Sequence, residues 1–113
     1  IAPYTEVSVE KAAGENGYTV EEIFSKKEEL KGKTVRIHGK VVKYSPMIMG
    51  RNWIHIQDGS GDPMANTHDL VITTSEEVKN GDVITVEGVL SANKDFGAGY
   101  SYEAIVEQAK TVK

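Results

Sequence analysis

The chain has no cysteine, and among its 113 residues only three prolines, two phenylalanines and one tryptophan. Without a thiol there is no cysteine nucleophile, no CxxC redox pair and no cysteine zinc site. A domain of this length buries roughly two-thirds of the surface its unfolded chain exposes, so it needs no disulfide staple. No apolar run approaches the roughly 18 residues of a membrane span, and no hydrophobic signal-peptide core stands at the start. Beginning at Ile1 rather than at a methionine, the chain reads as a processed exported protein or as a trimmed one.

What is present is charge, unevenly spread. Thirteen basic and 17 acidic residues give a net charge of -4. Residues 1–30 hold seven acids and three bases, which leaves ten of each for the remainder. The stretch from Lys31 to Arg51 carries Lys31, Lys33, Arg36, Lys40, Lys43 and Arg51 and no acid. A net acidic protein is a poor general nucleic-acid binder, because sequence-independent affinity comes from cations displacing phosphate counterions. A local basic track can still supply that affinity. The alternative is that these lysines only keep strand edges from pairing with neighbours.

Residues 1–17, with Pro3, Gly14 and Gly17 and no sustained period, read as a wandering tail before a domain spanning 18–113. At Tyr18 a helix start appears. Thr19 and Glu22 form a capping box, and Tyr18 and Ile23 occupy the staple positions around it. Val20, Ile23, Phe24, Lys27 and Leu30 fall on one face and Gly32 follows as a stop, which predicts one helix over Val20–Leu30.

Beyond Gly32 the period becomes two. Strands are predicted over Thr34–Tyr44, Asn52–Asp58, Leu70–Thr73, Val83–Leu90 and Tyr100–Glu107, with Gly39 and Gly88 as bends or bulges. Ser45–Gly50 and Ala92–Gly99 read as loops, and Asp58–Pro63 and Glu76–Asp82 as turns. Ile54 and Ile56 should point inward while Trp53, His55 and Gln57 point outward. Five such strands remove their edges by closing into a small barrel, and the order suits an OB-fold, which binds ligands across strands 2 and 3 and the loops flanking them. No ordinary helix fits between strands 3 and 4, so the N-terminal helix is expected to plug the barrel. The fold class is all-β: a five-stranded OB-fold barrel with one N-terminal α-helix.

The run GKTVRIHGKVVKYSPMIMGRNWIHIQDGSGD, followed by VKNGDVITVEGVLSANKDFGAGYSYEAIVEQA, resembles bacterial OB-fold proteins of the nucleic-acid-binding, anticodon-domain-like type, often exported and of unproven function. The likeness spans roughly residues 20–110. It implies an OB barrel, a nucleic-acid-binding role inherited from the fold, and a periplasmic or otherwise exported location, with a cytoplasmic one left open.

On that plan, Trp53 and His55 project from strand 2 beside Arg36, His38 and Lys40 from strand 1, with Lys43, Tyr44 and Arg51 on one flank and Lys94, Phe96 and Tyr100 on the other. An aromatic platform among cations suits single-stranded nucleic acid, since bases stack for about 1–3 kcal/mol each while the cations follow the phosphates. The competing account is that Trp53 packs under a neighbouring segment, as large aromatics usually do, and that Phe96 and Tyr100 do likewise. Met47, Ile48 and Met49 form an apolar loop tip. That feature supports a second class of function, a cell-envelope domain binding a protein partner or an apolar small ligand. His38, His55, His68, Met47, Met49 and Met64 include ligand types that copper accepts, but no two histidines have motif-like spacing.

Other chemistry lacks its parts. Asp58, Ser60, Asp62 and Asp69 occupy calcium-loop positions, but Pro63 replaces the glycine such a loop needs. Gly59 and Gly61 lead into that same proline rather than into a helix N-terminus, so they are no nucleotide fingerprint. No serine sits in an elbow motif, and no acid pair suits glycoside hydrolysis. The expectation is therefore a non-enzymatic binding module with no cofactor and no metal. Its ligand is single-stranded nucleic acid, with Trp53 as platform and Arg36, Lys40, Lys43, Arg51 and Lys94 as phosphate contacts.

Overall fold

Strand-forming residues make up most of the chain after Gly32, and a computed structural model, which describes residues 6–112, shows how their edges are removed. The strands are β1 (Thr34–Ile48), β2 (Arg51–Gln57), β3 (Leu70–Thr74), β4 (Val83–Gly97) and β5 (Tyr100–Val112). They join in a closed sheet in the order β1-β2-β3-β5-β4. Every pairing is antiparallel except β3 with β5.

Closure depends on β1 serving two neighbours. Its first half, Thr34 to Lys40, pairs with β4, and from Lys40 onward it pairs with β2. The handover lies at Gly39, where an added Cβ would stand 2.5 Å from Ile56 Cγ2 and 2.9 Å from the Gln57 carbonyl oxygen. Gly88 does the same for β4: a Cβ there would meet the Glu107 carbonyl oxygen at 2.7 Å, and the β4–β5 register shifts between Glu87 and Val89. Both glycines thus allow close backbone approach where the sheet bends.

Alternation then sends Val35, Ile37, Val41, Ile54, Ile56, Ile72, Val86 and Leu90 into one interior cluster. Val20, Ile23 and Leu30 are buried in the same cluster, so the helical segment packs onto the core of the sheet. Each such aliphatic side chain contributes about 1.5–3 kcal/mol by leaving water.

The helix itself is broken. It comprises α1 (Val20–Ser25) and α2 (Lys27–Leu30), separated at Lys26, whose φ of -109° and ψ of 15° leave the helical region. The capping box is present, with Glu22 N donating to Thr19 Oγ1 at 3.1 Å and Thr19 N donating to Glu22 Oε1 at 2.9 Å. The Asp58–Ser60 turn supplies a further cap: Val20 N donates to Asp58 Oδ2 at 2.9 Å and Glu21 N to Ser60 Oγ at 3.0 Å. That use accounts for the acidic turn without a cation.

The expected tail is corrected. Its first five residues lie outside the described ones, but residues 6–17 are strapped to the sheet. Val9 N donates to the Asp58 carbonyl at 3.0 Å, Gly17 bridges to Arg36, and Ala12 is buried. The strands also outrun their expected ends. The segments read as the loops Ser45–Gly50 and Ala92–Gly99 are mostly the arms of two long hairpins, reaching the pairs Ile48↔Arg51 and Gly97↔Tyr100. Pro46 is tolerated because it lies within the register shift between Ser45 and Ile48, where no ladder hydrogen bond is required of it.

Candidate functional site

The outer face of β2 carries Trp53 and His55 in the register opposite to Ile54 and Ile56, but the two side chains meet different surroundings. Trp53 is only 4% exposed. The β4–β5 hairpin arm folds over it: ring centroids of Phe96, Tyr102 and Tyr100 lie 5.5, 5.7 and 5.9 Å from the indole. Val71 and Ile105 complete a second apolar cluster with it, and its Nε1 donates to the Ile48 carbonyl at 2.8 Å. The expectation of an open stacking platform is therefore corrected: the indole is a packing residue. Phe96 shares that role, whereas Tyr100, 36% exposed, keeps an accessible edge.

The basic wall is corrected as well, because β1 curves. The β1 residues beside His55 and Trp53 are Lys43 and Ser45, whereas Arg36 and His38 pair across β4 with Glu87 and Thr85. Nine residues separate Arg36 from Ser45, about 30 Å of strand contour. Arg36 Nε is 3.0 Å from Glu87 Oε2. The Glu87 carboxyl is held below its ordinary value by a hydrogen bond from Asn16 and then by the Arg36 hydrogen bond and charge. His38 Nδ1 lies 2.7 Å from the Glu10 carbonyl, under the N-terminal strap. Lys40 sits at the handover, away from Trp53, and Tyr44 packs against the interior cluster rather than facing out.

Arg51 and Lys94 flank the Phe96 ring at 5.6 and 4.8 Å, and both are committed to Glu107, at 3.4 and 2.8 Å. Burial pushes the Glu107 carboxyl up. Hydrogen bonds from Lys94 and Ser91, with the charges of Lys94 and Arg51, more than reverse that and leave it below the ordinary carboxylate value. Neither cation stands free for a phosphate.

What the fold does bring together is a groove of about 890 Å³ beside the sealed indole. His55 and Val71 form its floor on β2 and β3, and Lys43, Ser45 and Ile48 one wall. Gly99 of the β4–β5 turn and the β5 segment from Tyr100 to Ala104 form the other wall, and Asn66, His68 and Asp69 one end. His55 Nδ1 is 2.6 Å from Asp69 Oδ2, and Asp69 Oδ1 accepts from Gln57 Nε2 at 2.9 Å. A carboxylate can only accept, so Nδ1 of His55 carries a hydrogen and Nε2 is left for another partner. Burial, then the neighbouring Tyr100, raises the Tyr102 hydroxyl above its ordinary value, so it stays a neutral donor. Of the charged wall residues, Glu103 is answered by Lys27 at 3.3 Å, and Lys43 has no ion-pair partner among the described residues.

Four of the expected site residues therefore line or border this groove: Lys43, His55, Tyr100 and the buried Trp53. Arg36, His38, Lys40, Tyr44, Arg51, Lys94 and Phe96 do not. Sequence reasoning passed over Asp69 and Tyr102 as site residues. Extending the alternation of β3 backward places Asp69 on the same face as Val71 and Thr73, which would have found it. Among the described residues no three His, Cys, Asp or Glu side chains are grouped to hold a metal ion. Comparison of the chain with family models, curated proteins and solved structures finds no match.

Proposed function

We propose that this protein is a non-enzymatic OB-fold binding module whose ligand, a short stretch of single-stranded nucleic acid, lies in the groove over β2 and β3. The observation that carries this reading is the groove's position. OB-folds bind oligonucleotides and oligosaccharides on the face of strands 2 and 3, between the loops joining strands 1 to 2 and 4 to 5. Here β2 and β3 give the floor while the β1–β2 and β4–β5 hairpins give walls. The closed order with its single parallel β3–β5 pair supports the same family of folds. Tyr100 then replaces Trp53 as the stacking surface, and Lys43 is the phosphate contact. Binding is favoured over catalysis because, among the described residues, no hydroxyl is hydrogen-bonded to His55, so no nucleophile is activated there.

The test is anisotropy of a labelled short oligo(dT) at low and moderate salt. Affinity should fall as salt rises, with the slope reduced by about 1 in Lys43→Ala. Absence of binding at low salt would remove this ligand class.

One observation favours a second reading, a protein or apolar partner. Met47, Met49 and Met64 are 73%, 47% and 94% exposed. Met47 and Met49 belong to the β1–β2 hairpin region and Met64 to the β2–β3 loop. Adaptable thioethers suit a partner surface, and affinity built on them would be nearly insensitive to salt.

A further inference from the structure

We infer that the groove contains an oxyanion subsite that fills on proton uptake, in which Lys43 and the imidazole of His55, oriented by Asp69, take one phosphate. The inference deepens the binding reading above and rests on it for the source of that phosphate. The subsite itself would equally take a free tetrahedral oxyanion.

The argument is one of charge and hydrogen-bond direction. With His55 neutral, Nε2 is an acceptor and repels an anion's lone pairs. Asp69, its Oδ2 2.6 Å from His55 Nδ1, is then a negative charge unanswered by the ring in the same groove as Lys43, and it offsets that cation. When Nε2 gains a proton, His55 and Asp69 neutralise one another. The groove then has a new N–H donor and an uncompensated Lys43, and an anion becomes welcome. Imidazole is the side chain whose charge ordinarily changes between about pH 5 and 8.

The other groups facing His55 do not supply this change alone. Glu103 on β5 is paired to Lys27. Tyr102 on β5 has its hydroxyl raised above the ordinary tyrosine value by burial and stays neutral, and Tyr100 is the other phenol on that wall. Lys43 on β1 is the cation of the groove, and Phe24 from α1 is apolar. Gln57, on the same strand as His55, holds Asp69 in place without titrating. His68, at the groove's end, is a second imidazole and so needs its own control.

The experiment uses two probes whose charge is constant across the range: short oligo(dT) and inorganic sulfate. Oligo(dT) binding is followed by anisotropy and sulfate binding by imidazole NMR shifts. Both should bind about tenfold more tightly at about pH 5.5 than at about pH 7.5, the dependence that uptake of a single proton allows. His55→Gln should flatten the dependence and Lys43→Ala should weaken binding at both ends. His38→Gln, lying outside the groove, and His68→Gln should keep most of the slope. Should His55→Gln fail to fold, Asp69→Asn is the second check: with the carboxylate gone Lys43 is uncompensated at both ends, so the gain on acidification should shrink.

A slope that survives His55→Gln, or sulfate that fails to bind at the acidic end, overturns the subsite. Oligo(dT) binding with no pH dependence leaves the nucleic-acid reading standing and the subsite refuted. Sulfate binding that depends on His55, without any oligo(dT) binding, does the reverse.

Discussion

Trp53 and His55 lie two residues apart on the same strand and the same outer face, yet one is sealed and the other lines an open groove. The difference comes from the hairpin arms rather than from β2. Beyond the closed part of the sheet, β4 and β5 pair only with each other, and their aromatic residues need a surface. They find it on Trp53, where Phe96, Tyr100 and Tyr102 converge and the indole N–H reaches the Ile48 carbonyl. His55 lies beyond that cover and is instead met by Asp69 from the start of β3. Outward register in a strand therefore fixes a side chain's direction, not its exposure. Exposure depends on what the ends of neighbouring strands fold back upon.

The largest effect that separates the two positions is on stability. Trp53→Ala should cost about 3–5 kcal/mol, since it empties the centre of the second apolar cluster and frees a hairpin arm. Urea unfolding measures it, and a cost below about 1 kcal/mol would mean that the arm does not hold the indole in solution. A stacking role would instead have left stability intact.

Tyr100 sharpens the contrast, because it touches both regions. Tyr100→Ala should weaken oligo(dT) by about 1–3 kcal/mol if bases stack on its open edge, with a smaller loss of stability than at Trp53. Equal affinity in the variant would move the stacking surface elsewhere.

The smallest effect concerns the pair of cations that hold the sealed region's rim. The Glu107 carboxyl lies below the ordinary carboxylate value in the folded protein. Its stabilisation is thus present above that value and is lost as pH falls through the lower folded value. Glu107→Gln should cost about 1 kcal/mol near neutrality, because its partners Arg51 and Lys94 are well exposed. It should also make the stability profile below about pH 4.5 less steep than that of the parent. Parallel acid profiles would show that the carboxylate contributes nothing there.

Much of the architecture was legible because short-range chemistry wrote it. Thr19 and Glu22 marked the helix start, Gly39 and Gly88 the places where strands bend, and the alternation around Ile54 and Ile56 the side facing the core. The helix break at Lys26 was not legible, since nothing local at that residue forbids a continuing turn. Pro46 and the glycines Gly97 and Gly99 disguised two strand arms as loops, because a proline within a register shift and glycines at a hairpin tip are compatible with pairing on either side of them. The basic track from Lys31 to Arg51 looked like one surface. Curvature divided it between β4 and β2, and Glu87 and Glu107, distant in sequence, claimed three of the cations proposed for phosphate.

The sequence by itself determined the alternation, the caps and the five strands, since each depends on neighbours within a few residues. Only the tertiary structure decided which outward residues meet water. Burial of Trp53, pairing of Arg51 and Lys94 with Glu107, and the meeting of His55 with Asp69 all join segments between 13 and 56 residues apart. Contacts of that range are set by the closing of the sheet, where the free energy of covering apolar surface and answering charge is shared among strands and belongs to no local pattern.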